Sequence, residues 1–169
     1  MNFTAHNPAP RFPGLYVARV ETVEDLARIQ VSIPSIFEAN DPSAFSWARP
    51  CMPFAHFFVP NVGDFVWVAF ENGDPSAPVW LGIWYPQGTV PGEADVSPPV
   101  KRVIRSASGH VIVMDDTDGS EALSITDKFG NSIEMRQNAV LIKCVADLTI
   151  DASGKNVVIK ANSVDVQES

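Results

Sequence analysis

The run Asp115-Asp116-Thr117-Asp118-Gly119-Ser120-Glu121 gathers four carboxylates in seven positions, the kind of oxygen-rich stretch that attracts calcium. A helix-loop-helix calcium site needs ligands at alternating positions, Gly at the sixth and Glu at the twelfth, and this stretch does not fit. A hairpin turn between Val113 and Leu123 accounts for it instead. His6, His56 and His110 stand alone, with no Glu or Cys at ligand spacing, so no metal site is expected. No G-x-S-x-G elbow presents a nucleophilic serine. The pair Glu24-Asp25 falls in an expected turn, where solvated charge is the plain reading. No catalytic residue, cofactor or enzyme activity is expected. Trp47, Trp67, Trp80 and Trp84 could stack bases, but that use needs interleaved Lys and Arg, and none occurs between residues 50 and 100. Core and inter-subunit packing is the expected role.

The totals point the same way. Twenty acidic against twelve basic residues give a net charge of −8, which disfavours nucleic acid as a partner. Cys51 and Cys144 lie far apart and are expected to be buried free thiols. The start MNFTAHNPAPRFPG has no basic segment followed by an apolar core, so it does not read as a signal peptide. The chain is expected to be made in the cytoplasm without one.

The elements that hold these residues are strands. Residues 1–13 are Pro-rich and aperiodic, an extended arm. From Gly14, LYVARVETV is followed by RIQVSI, in which Ile29, Val31 and Ile33 alternate with polar residues, as in a strand with one buried face. The short EDLA between them suits a hairpin, and Pro34 ends the ladder. Residues 35–58 read as a loop with several exposed-looking aromatics, plus a strand around Trp47–Met52. DFVWVAF, the turn ENGDPSAP and VWLGIWY make a second hairpin. About five strands in ~70 residues suit a small closed barrel over residues 14–86, and 87–100 is a Pro/Gly-rich linker.

Beyond residue 100 Phe129 is the sole aromatic, and a motif of apolar, any, apolar, polar recurs. Its apolar pairs are Leu123/Ile125, Ile133/Met135, Val140/Ile142, Leu148/Ile150, Val157/Ile159 and Val164/Val166, spaced 10, 7, 8, 9 and 7 residues start to start. Strands this short, with turn formers between them, suggest a wound β structure over 101–169. Two apolar residues per strand do not offset an ordering cost of roughly 1–2 kcal/mol per residue. Identical chains winding together, with these twelve residues on a common axis, would supply the missing core. An ordinary six-stranded antiparallel domain is the alternative.

PNVGDFVWVAFENGDPSAPVWLGIWYP resembles the barrel segment of spike proteins from contractile injection machines, the VgrG-type and phage tail-spike family. The matching residues are Pro60, Val62, Gly63, Asp64, Phe70, Glu71, Asn72, Gly73, Asp74, Pro75, Pro78 and Gly82. Residues 108–135 resemble the neck where that family's triple-stranded β-helix begins. The resemblance implies an all-β homotrimer, with oligosaccharide/oligonucleotide-binding (OB) barrels followed by an intertwined needle. It also implies assembly into a phage tail or injection-system baseplate, and transient piercing of a target envelope. The large hub domain and any lysozyme-like insert are missing, so a separate hub protein is expected at Phe3, Pro8, Pro10 and Phe12. The tail Val164, Asp165, Val166, Gln167, Glu168 and Ser169 lacks the family's iron-binding His-x-His and looks blunt, as where a PAAR-type tip protein binds. A monomeric OB module that binds carbohydrate or nucleic acid is the second reading, and a cell-wall hydrolase the third.

Overall fold

Alternation along the chain determines which side chains each strand turns inward. Strand β1 (Leu15–Val23) sends Ala18 and Val20 into the interior; β2 (Ile29–Ser32) sends Ile29 and Val31. Strand β3 (Ser46–Pro50) adds Ala48, and β4 (Phe65–Phe70) adds Val66, Val68 and Phe70. Strand β5 (Pro78–Ile83) adds Pro78 and Trp80, whose indole N–H donates to the Ala27 carbonyl at 2.9 Å. Each such aliphatic side chain contributes about 1.5–3 kcal/mol on burial.

The computed structural model describes residues 11–37 and 41–167, and divides the chain into two compact units, up to Pro99 and from Val100 onward. In the first unit the five strands close in the order β1-β2-β3-β5-β4, with β4 pairing back onto β1. This closed barrel is consistent with an OB domain. Irregularities at Val20/Thr22 and Trp67/Val68 bend the strands, and the second leaves Leu81 without a ladder partner. The β1–β2 link is the expected hairpin, closed by Glu24 N–H to Arg28 carbonyl at 2.8 Å. Strand β3 ends at Pro50, short of the expected Met52, although Cys51 N–H still reaches the Trp80 carbonyl at 2.9 Å.

The β4–β5 turn passes through left-handed backbone at Asn72 and Gly73. A Cβ on Gly73 would lie 3.2 Å from the Phe12 nitrogen, because Phe12 N–H donates to the Gly73 carbonyl there. Glycine thus serves both the turn and the close approach.

The second unit is a five-stranded antiparallel meander: β6 (Lys101–Arg105), β7 (Val111–Asp115), β8 (Ala122–Thr126), β9 (Ser132–Arg136) and β10 (Ala139–Lys143). Three repeats of the apolar motif are therefore strands. The other three, at 148–151, 157–160 and 164–167, are not, and 144–167 contains no strand. A strand exists only when another pairs with it, and among the described residues this segment finds none within its own chain. The described residues of the single chain do not show the wound needle expected over 101–169; they form an antiparallel sheet over 101–143. Among the described residues there is no α-helix, and none long and apolar enough to cross a membrane.

Candidate functional site

The register of the meander sorts its side chains into two faces. One face carries a row of five isoleucines, Ile104, Ile112, Ile125, Ile133 and Ile142, each opposite the next. Beside it runs a second row, Arg102, Met114, Leu123, Met135 and Val140. The expected core residues Leu123, Ile125, Ile133, Met135, Val140 and Ile142 all lie here, with exposures from 37% at Leu123 to 66% at Val140. The other face holds Ser124, Thr126, Ser132 and Glu134, with Lys101 joined to Asp115 at 3.1 Å. Val103, Val111, Val113 and Leu141 lie on that face too, while the isoleucine row lies on the more exposed one. Ile112 and Met114 escaped the motif search because Val111–Met114 is a continuous apolar run that hides its alternation, and Ile104 because Arg102 stands two positions before it.

Leu148, Ile150, Val157, Ile159, Val164 and Val166 are exposed in the strandless segment. It is tethered where Val145 N–H donates to the Asn131 side-chain oxygen at 2.8 Å. Asp165 and Gln167 of the expected tip contact are exposed and joined side chain to side chain at 2.7 Å; Glu168 and Ser169 lie outside the described residues. Of the expected hub contacts, Phe3, Pro8 and Pro10 also lie outside them. Phe12 is half-buried in the barrel, in an aromatic cluster with Tyr16, Phe37 and Phe70.

Two carboxylates of the 115–121 run serve structure. Asp115 Oδ1 accepts from the Thr117 hydroxyl and amide, and Asp116 pairs with Arg102 at 2.8 Å. The Thr117 hydroxyl, then its amide, then Lys101 hold the Asp115 carboxyl below the ordinary aspartate range. Asp127 repeats the device in the β8–β9 turn, where the Asn131 side chain and three backbone amides lower its carboxyl too. Among the described residues no three His, Cys, Asp or Glu gather as metal ligands. His56 stacks edge-on to Phe58, and His110 offers its backbone N–H to the Ser106 hydroxyl.

Both cysteines are free but exposed, contrary to the burial expected of them. Cys51 follows the last residue of β3 and Cys144 the last of β10, where no further layer covers the chain. The tryptophans separate. Trp80 is core; Trp47 lies under the Arg28 guanidinium, 5.3 Å from its ring centre. Trp67 and Trp84 line an open groove of about 720 Å³ on the barrel, together with Leu15 and Val17. One arginine thus does approach a tryptophan, but from the β1–β2 turn, which spacing along 50–100 could not reveal.

The fold is that of an all-β chain whose first unit is a closed five-stranded barrel and whose accessible chemistry is apolar surface. Residues 13–85, the barrel, match the type VI secretion system/phage-baseplate injector OB domain family. The match supports a baseplate-related, structural setting for the barrel. It does not single out the VgrG type, and it ends before the second unit. No curated protein matches the chain.

Proposed function

We propose that this chain is the central spike of a contractile tail or injection-system baseplate, a homotrimer that caps the tail tube and pierces a target envelope. The observation that carries it is the row of five isoleucines on the open face of the sheet, continued by exposed apolar residues at alternate positions through 144–167. Leaving such a surface in water forfeits about 1.5–3 kcal/mol per large aliphatic side chain. Further copies of the same chain cover it: their 144–167 segments pair with one another as strands, and the apolar positions meet on a common axis. The baseplate family of the barrel supports the setting. A hub protein at the N-terminal end, a PAAR-type tip protein at the C-terminal end and the absence of turnover belong to this reading. The work is done by stiffness, so no catalytic residue is assigned.

Light scattering with and without SDS at room temperature tests it. The expected species is three times 18.4 kDa and survives SDS until boiled. A clean monomer overturns the reading. The aromatic groove favours one other assignment, a monomeric carbohydrate-binding barrel; that requires the monomer together with measurable affinity for a sugar.

A further inference from the structure

Arg11, Phe12 and Pro13 run ahead of β1 and belong to no strand, yet they are seated on the barrel. Phe12 N–H donates to the Gly73 carbonyl at 2.9 Å, which stitches the segment to the β4–β5 turn. The Phe12 ring lies 5.8 Å from Phe70, 6.1 Å from Phe37 and 6.5 Å from Tyr16, centre to centre. Phe70 belongs to the core, so Phe12 extends the barrel interior with an aromatic cover. The Tyr16 hydroxyl donates to the Pro13 carbonyl at 2.9 Å and fastens the segment from its other side.

The turn that receives Phe12 is shaped for close contact. Gly73 is buried, and a Cβ there would lie 3.2 Å from both the Arg11 Cβ and the Phe12 nitrogen. The turn itself is closed by Glu71 N–H to the Ala77 carbonyl at 3.0 Å and by Asp74 N–H to the Glu71 carbonyl at 2.9 Å. Behind the segment, Gly14 takes φ +98° with open space where a Cβ would point. Glycine is needed there for the dihedral and not for room, as at a pivot. Pro13 next to it has φ fixed by its ring, so rotation concentrates at Gly14.

These contacts set an order of opening. Strand β1 is held by ladders on both edges, from β2 and from β4. Residues 11–13 are held by one half-buried ring and rim hydrogen bonds, and segments with so few buried contacts open below the global unfolding threshold. We propose that residues 11–13 are a latch hinged at Gly14, which swings off as a unit while the barrel stays closed. Closed, it covers the aromatic cluster and braces the β4–β5 turn; open, it uncovers the one and loosens the other. In the spike reading a hub protein is expected on the N-terminal side, so a pull from there reaches the latch before the barrel strands. The latch itself lies within one chain, and its failure would leave that reading standing.

Amide hydrogen exchange of the full chain, followed residue by residue by NMR, tests it. The reference is Val20, whose N–H donates to the Asp64 carbonyl at 2.9 Å. The Phe12 amide should be protected, yet exchange roughly a hundredfold faster than that of Val20, at a rate that low urea barely changes. Phe12→Ala should speed the Glu71 and Asp74 amides about tenfold and leave Val20 unchanged, and Phe12→Leu should restore most of their protection. Gly14→Ala keeps the latch contacts but strains the closed hinge, so it should speed the Phe12 amide about tenfold; it decides the matter if Phe12→Ala fails to fold. A Phe12 amide that exchanges in step with Val20, or one with no protection at all, overturns the latch. So do turn amides indifferent to Phe12→Ala in a folded protein, or a Phe12 amide indifferent to Gly14→Ala.

Discussion

In the barrel, alternate side chains of β1, β2 and β4 turn inward, and Val20, Ile29, Val31, Val66 and Val68 are fully buried. In the meander the equivalent alternation puts five isoleucines in a row that no part of the described chain covers. Both units use the same period-two code, and the difference lies in closure. Five strands that return to their starting edge enclose their own apolar face. Five that do not return expose it, and the segment that follows forms no further strand in the single chain. One unit encloses its apolar face, whereas the other leaves much of its apolar face exposed in the single chain.

The widest separation between the units is expected from Ile142→Asp. In the spike reading it buries three like charges near one axis, so trimer mass is lost altogether. All four tryptophans lie between residues 47 and 84, so their fluorescence should be unchanged. A normal trimer from this variant would count strongly against the reading. Trp80→Ala acts on the other side: it opens a cavity in the barrel and strips the Ala27 carbonyl of its indole donor. It should cost about 3–5 kcal/mol in urea unfolding followed by tryptophan fluorescence, with trimer mass retained at low urea. Gly73→Ala forces a side chain into left-handed backbone at φ +74°, against the Phe12 backbone, and should lower the same barrel midpoint by about 1–3 kcal/mol.

The smallest effect concerns acid. Asp41 and Asp74 in the barrel, and Asp115, Asp127 and Asp151 beyond it, are all held below the ordinary aspartate range. A Ser, Thr or Asn side chain is the leading cause in each case. A depressed carboxylate stabilises the fold above its unfolded pKa, and that stability is lost as pH falls through the lower, folded value. Melting temperature should therefore stay level down to about pH 4 and decline below it. Asp127→Asn should soften that decline; an unchanged acid limb would show that the corner carboxylates contribute nothing.

Much of this was readable along the chain. The alternation in RIQVSI and the turn chemistry of ENGDPSAP are local signals, and the strands and hairpin they imply are present. The resemblance of Pro60–Pro86 to an injector barrel agrees with the family match over residues 13–85. The groove was not readable, because it draws Leu15 and Val17 from β1, Trp67 from β4 and Trp84 from beyond β5. Nor was the exposure of Cys51 and Cys144, since a cysteine is buried only if something packs over it, and both follow the end of a strand.

Sequence alone indicated the alternation of the barrel strands, the turn at ENGDPSAP and three of the six apolar-motif strands, and it keeps charge out of residues 51–63. Each of these depends on neighbours a few positions away. Which face of each strand is covered was decided by tertiary structure. A period of two assigns side chains to alternate faces without stating which face meets another layer, and pairing partners come from distant residues. For Leu148, Ile150, Val157, Ile159, Val164 and Val166 the chain supplies the pattern and no partner, so in the single chain they remain exposed.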